Sequence, residues 1–233
     1  MEAHDVNHRD ISGGGARAAV FGISDGLLSN VSLILGVAGA HPGSKTVIIA
    51  GLAGLVAGAF SMGIGELISM GAQKELFERE LRLEARELKE RPEAETRELA
   101  QIYMERGLPY DLARQVATYL MKDPKTALQV HAQEELGVSP DSIGSPIEAS
   151  VASFFAFAIG ALVPLIGWFF LNGTTALTVS VAMSALATVA VGGGLALLTG
   201  RNITKSALRQ LALSAVAAAV TYSIGHLLGA AIH

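Results

Sequence analysis

The stretch that decides the fold runs from Ala149 to Gly200: ASVASFFAFAIGALVPLIGWFFLNGTTALTVSVAMSALATVAVGGGLALLTG. It contains no formal charge and is too long for one helix. A helix needs about 20 apolar residues to cross about 30 Å of hydrocarbon. Asn172-Gly173-Thr174-Thr175 is a natural turn near its middle. The stretch therefore reads as two membrane spans, the third and fourth of the chain. Pro164 is expected to kink the third, with neighbouring helices satisfying the backbone group it frees.

Working outward, a fifth span is expected from Ser206 to Ala231. A first runs from Ala18 to Ala40 and contains Asp25. A second runs from Thr46 to Met70 and contains Glu66 near its end. The turn His41-Pro42-Gly43-Ser44-Lys45 joins them. Small residues are dense in these spans, including Gly51, Gly54, Gly58, Gly192, Gly193 and Gly194. Gly54 and Gly58 form a GxxxG pair, whose ordinary use is close helix packing.

The segment between spans two and three is of another kind. Of the 21 acidic residues in the chain, 14 lie between Glu75 and Glu135, and the same insert holds 11 of the 17 basic ones. It reads as helices. Gln73 to Glu90 is a run of helix formers, continuous with span two because no breaker separates it from Met70. Pro92 opens a second helix, ending at Gly107; Leu108-Pro109 opens a third, through Met121; Asp123-Pro124 opens a fourth, ending at Gly137. Ser139-Pro140 to Ser145-Pro146 is the return loop. The expected organisation is a polar N-terminal segment (1–17), spans one and two (18–72), a helical insert (73–146) and spans three to five (147–233). The fold class is an all-α membrane protein with five transmembrane helices.

Composition agrees. The 233 residues are 51% hydrophobic and 16% charged, against about 25% charged in a soluble domain. There is no cysteine, which excludes disulfides, cysteine-zinc sites and iron–sulfur clusters. No basic run or face suggests nucleic acid. The first 17 residues lack the basic start and small-residue cleavage site of a signal peptide. Arg9, Arg17, the insert, and Arg201, Lys205 and Arg209 all fall on one side of a five-span chain. The Lys/Arg bias makes that side cytoplasmic, with the N-terminus and insert inside and His233 outside. A prokaryotic plasma membrane is the expected location.

Several side chains invite chemistry. Asp25 is a carboxylate within apolar sequence, which marks a functional site by default; the alternative is a structural, hydrogen-bonded residue near the interface. Met62 offers a soft thioether to a transition metal, although methionine in a span usually packs. Glu84 and Glu87 are spaced i, i+3 on the first insert helix, and Glu95 and Glu98 repeat that spacing on the second. His131 and Glu135 are spaced i, i+4 on the fourth. Such pairs project from one helical face. Three helices can thus aim carboxylates and an imidazole at one centre, as in carboxylate metal sites of helical bundles. The plainer reading is a solvated face, with Arg79, Arg82, Arg86 and Arg97 forming intrahelical ion pairs. Glu66 is either a relay or an interfacial residue. His226 reads as packing and His233 as exposed.

Ser24-Asp25-Gly26-Leu27 in span one, Gly58-Ala59-Phe60-Ser61-Met62-Gly63 in span two, and a Glu-rich insert before three further spans together resemble the vacuolar iron transporter family. That family includes the yeast Ca(2+)-sensitive cross-complementer transporter and bacterial relatives. The resemblance covers the chain from Arg17 to the last span. It implies a homodimer of five-span protomers with the pore at the dimer interface. The insert binds metal on the cytoplasmic side, and cytosolic Fe2+ is exchanged for protons. No resident cofactor is implied; Fe2+ is the cargo. Position by position, Asp25 and Met62 match pore residues, and Glu84, Glu87, Glu95, Glu98 and Glu135 match the insert carboxylates. His131 stands where a family member has methionine, and Gly54 where a family member has glutamate. Ser29-Asn30-Val31-Ser32 resembles the shorter plant transporter-like branch.

The resemblance implies a transporter whose partners are divalent metal ions, protons, the bilayer and a second copy of the chain. Mn2+, Co2+, Ni2+ and Zn2+ remain alternative cargoes, since similar ligands serve all of them. A membrane-anchored metal-binding or sensor protein without transport is the rival of another class. No serine–histidine or His-Glu-x-x-His constellation points to an enzyme.

Overall fold

The computed structural model describes residues 14–41, 43–137 and 144–232. Among them every regular element is helical: α1 (Gly14–Gly39), α2 (Ser44–Glu90), α3 (Pro92–Glu105), α4 (Tyr110–Leu120), α5 (Pro124–Glu135), α6 (Pro146–Leu162), α7 (Ile166–Phe170), α8 (Gly173–Thr199) and α9 (Ile203–Ile232). A 3-10 turn, Val163–Leu165, joins α6 to α7. Five helical stretches are long and apolar enough to cross a membrane: α1, the first part of α2, α6 through α7, α8 and α9. The chain separates into two units, one built from 69–144 and the other from 14–68 and 145–233. Helix α2 contributes to both, changing unit after Ile68. The N-terminal histidines, most of the return loop and His233 lie outside the described residues.

In the spanning unit, α1 packs against α6, α8 and α9. Glycine permits the approach. A methyl group on Gly160 would overlap the Ile23 carbonyl oxygen, and one on Gly26 the Phe157 carbonyl oxygen, so α1 and α6 meet backbone to backbone. Ile34, Val47, Leu165, Trp168 and Ala176 form one buried cluster; Ala59, Phe157 and Ala161 form another, against which Met62 packs.

The break at Pro164 takes a definite form. Val163 N–H bonds to Gly160 O, and Ile166 N–H to Val163 O, the i→i+3 pattern of a 3-10 turn. In that pattern the carbonyl of Ala161 would accept from residue 164, and proline has no N–H to give. Asn30 Nδ2 on α1 donates to Ala161 O at 2.5 Å instead. On the other flank Ser180 Oγ on α8 donates to Pro164 O at 2.7 Å. Two side chains from other spans thus satisfy backbone acceptors beside the break, as a hydrocarbon environment requires.

In the insert unit the punctuation falls at proline and glycine. Pro92 and Pro124 occupy first-turn positions of α3 and α5. Asp123 caps α5, its Oδ2 accepting from Thr126 N (3.0 Å) and Thr126 Oγ1 (2.6 Å). Those two bonds hold its carboxyl below the usual range. Gly107, at φ +97°, ends the turn after α3. Leu99, Ala100 and Ala117 form the core where α3 packs on α4. Complete burial of Leu99 contributes about 2 kcal/mol.

Candidate metal centre

The insert part of α2 supplies Glu84, α3 supplies Glu95, and α5 supplies His131 and Glu135. One ligand atom from each lies within 4.8 Å of all the others. His131 is fully buried, and Glu84 and Glu95 are 8% and 6% exposed; Glu135 is the exposed member. His131 Nδ1 lies 2.9 Å from Glu135 Oε1, 3.1 Å from Glu84 Oε1 and 4.0 Å from Glu95 Oε2. The helical repeat explains part of this. His131 and Glu135 are four residues apart on α5, so they share a face.

The electrostatics are unbalanced. Three carboxylates surround one imidazole, and among the described residues none of the three is paired with lysine or arginine. Intrahelical ion pairing does occur nearby, at Lys74–Glu78 and Glu78–Arg82. The solvated-face reading thus fits Glu78 and does not fit Glu84. Burial, reinforced by the charge of Glu135, pushes the Glu84 carboxyl up to about 7. Burial, then the charge of Glu98, raises Glu95 as well.

Hydrogen bonding is also incomplete. The single proton that Nδ1 can carry serves Glu135, and Glu84 Oε1 has no hydrogen-bond partner. Nε2 of His131 is buried without one too. A buried polar group without a partner costs about 1–3 kcal/mol. A divalent cation among these four side chains would relieve the carboxylate repulsion and employ the idle oxygen. With Nδ1 facing the carboxylates, Nδ1 is the nitrogen able to ligate, and the ring proton then moves to Nε2. Carboxylate oxygens with one imidazole suit borderline divalent metals such as Fe2+, Mn2+ and Zn2+.

Glu87 and Glu98, the remaining candidates on α2 and α3, are exposed and stand outside this group of four. Their charges nevertheless reach it, since Glu87 raises Glu84 and both raise Glu95. In the spanning unit Asp25 is half-buried and accepts a hydrogen bond from Ser29 Oγ at 3.2 Å. Met62 is half-buried against the Phe157 cluster. Glu66 pairs with Arg17 across α1 and α2 at 3.4 Å. His226 is exposed rather than packed away, and its ring stands edge-on to His41 at 5.6 Å.

Two contributors were not evident in the sequence. Arg106, at the end of α3, donates to Glu134 on α5 at 2.9 Å and so braces the residue preceding Glu135. Asn30 is the other; a lone asparagine in an apolar helix carries no spacing signal.

The chain is similar to known proteins along most of its length. The VIT family model matches residues 16–226. "Vacuolar iron transporter 1" of Tulipa gesneriana is 31% identical over 209 residues, covering 89% of this chain and 85% of the tulip protein. The "Vacuolar iron transporter" of Acanthamoeba castellanii is 34% identical over 222 residues, covering 92% and 78%. That of Toxoplasma gondii is 32% identical over 235 residues, covering 97% and 78%. With a family match over nearly the whole chain and relatives at this level of identity, the chain belongs to the VIT family.

Proposed function

We propose that this protein transports Fe2+ out of the cytosol in exchange for protons, working as a homodimer in a prokaryotic plasma membrane with its insert on the cytoplasmic side. The observation that carries the reading is the cluster of buried Glu84, Glu95 and His131 with exposed Glu135, whose three carboxylates have no basic partner among the described residues. The names of the relatives supply iron as the cargo.

In this reading the insert gathers Fe2+ from the cytosol. Exposed Glu87 and Glu98 attract the ion, and Glu84, Glu95, His131 and Glu135 hold it. Asp25 and Met62 then line its route through the membrane. One protomer offers few groups to replace an ion's hydration shell, so a two-fold axis pairing two Asp25 and two Met62 completes the path. Carboxylate ligands must be ionised to hold metal. Protonation of Asp25 expels the ion, which couples Fe2+ movement to a proton gradient.

The test is Fe2+ flux into proteoliposomes with and without an imposed pH gradient, for wild type and Asp25→Ala. Gradient-dependent uptake lost in the variant is the expected result. Flux unchanged by Asp25→Ala would remove Asp25 from the path. Fe2+ binding without any flux would favour the membrane-anchored sensor, with Gly54, where a family member has glutamate, as the first suspect.

A further inference from the structure

From Ala149 to His233 the sequence contains no aspartate or glutamate, and its only lysine or arginine residues are Arg201, Lys205 and Arg209. All three line a single cleft of about 310 Å³ at the turn between α8 and α9, together with Asn202 and Ser206. Lys205 and Arg209 are four residues apart on α9 and share a face, and Arg201 lies in the turn just before that helix. Among the described residues none of the three is paired with a carboxylate. Membrane topology calls for positive charge in such a loop, but it does not call for three cations converging on one cleft with no counter-charge.

The remaining groups favour a phosphate. Asn202 Oδ1 accepts from Lys205 N at 3.0 Å, which leaves its amide N–H group to donate outward. Ser206 adds a hydroxyl. The face of α9 that carries Lys205 and Arg209 continues with Leu213 and Val216, both exposed. A cationic pocket at the end of two membrane spans, with exposed Leu213 and Val216 further along the same face of α9, matches a molecule with an anionic head and acyl tails.

We propose that the cleft formed by Arg201, Asn202, Lys205, Ser206 and Arg209 binds the headgroup phosphate of an anionic phospholipid. The acyl chains lie along α9 beside Leu213 and Val216. The two cations nearest the turn hold the phosphate, and Arg209, one turn further along, favours a net-negative headgroup over a zwitterionic one. The cleft shares no residue with the metal cluster.

Native mass spectrometry of the full chain in detergent, with phosphatidylglycerol or phosphatidylcholine added, tests it. Wild type should retain phosphatidylglycerol and shed phosphatidylcholine. Arg201→Gln/Lys205→Gln/Arg209→Gln should lower phosphatidylglycerol retention by more than about tenfold, and Lys205→Gln alone by about fivefold. Lys45→Gln, removing an exposed cation elsewhere, should change nothing. The single variant keeps the test decisive if the triple one does not fold. Equal retention by wild type and Lys205→Gln would overturn the proposal, as would equal retention of the two lipids. Displacement of phosphatidylglycerol by an equal concentration of inorganic phosphate would overturn the lipid assignment in favour of a free anion.

Discussion

His131 Nδ1 lies 3.1 Å from Glu84 Oε1, and both side chains are buried. The imidazole already serves Glu135 at 2.9 Å, so Glu84 must take up either a proton or a cation. Its carboxyl, pushed up to about 7 by burial first and by Glu135 next, is poised for that choice. Proton and metal compete for one oxygen. Mn2+ affinity of the purified protein should therefore fall about tenfold between one pH unit above that value and one unit below it. Titration calorimetry measures this, and a flat profile would exclude Glu84 as a ligand.

The metal-free protein should show the opposite trend in stability. Glu84 has a folded-state pKa above its ordinary value of 4.5. Its contribution to stability is fully present below that ordinary value and is lost as pH rises through about 7. With chelator present, the unfolding temperature of wild type should thus decline across this window relative to Glu84→Gln, which cannot ionise. Parallel curves for the two proteins would show that the carboxyl does not titrate there.

Replacing His131 separates its two possible roles. His131→Ala removes a donor and leaves three carboxylates facing one another, so metal affinity should drop about tenfold or more. His131→Met supplies a soft thioether ligand of similar length and should recover part of the loss for Fe2+. Competition binding with Fe2+ and Zn2+ reads both effects. If all three proteins bind Fe2+ alike and differ only in stability, His131 is a core residue.

How much of this was legible in the sequence depends on the range of the interaction. The five spans were, because a membrane imposes a long run without charge, and Ala149 to Gly200 contains two such runs around Asn172. The continuity of span two with the insert was legible too, since nothing between Met70 and Gln73 breaks a helix. The pairing of His131 with Glu135 followed from their spacing. The division of the glutamates did not. Glu84 and Glu87 are equivalent in the sequence, but α2 turns Glu84 inward and leaves Glu87 exposed, which only packing against α3 and α5 decides. The bond from Asn30 to Ala161 spans 131 positions and ends on a backbone carbonyl, so no side-chain pattern could announce it.

That bond yields a coupled prediction. Asn30→Ala should leave the Ala161 carbonyl without a partner inside the membrane, at a cost of about 1 kcal/mol. Pro164→Ala gives residue 164 an N–H and permits an unbroken helix, in which Leu165 N–H reaches the same carbonyl. In the Pro164→Ala background Asn30→Ala should then cost almost nothing. Thermal unfolding of the four proteins in detergent completes the cycle. An equal cost in both backgrounds would mean that Asn30 acts elsewhere, for instance through its buried and unpartnered Oδ1.

Gly54 is held small by packing. A Cβ at this position would overlap Leu33 Cδ2 and lie 3.0 Å from Asn30 Oδ1. Gly54→Glu therefore pushes on Leu33 and brings a carboxylate towards an amide oxygen that has no donor to offer it. Overpacking of this kind costs about 1–3 kcal/mol, and the like polarity adds to it. Gly54→Glu alone should lower the unfolding temperature. Adding Leu33→Ala should recover much of the loss, because the obstructing atom is the far end of a side chain and not backbone. If the double variant is stable and gains a metal-dependent rise in unfolding temperature over Leu33→Ala, the position is a cation site that this chain has closed. If Gly54→Glu is as stable as wild type, Leu33 moves freely, and the glycine owes nothing to packing.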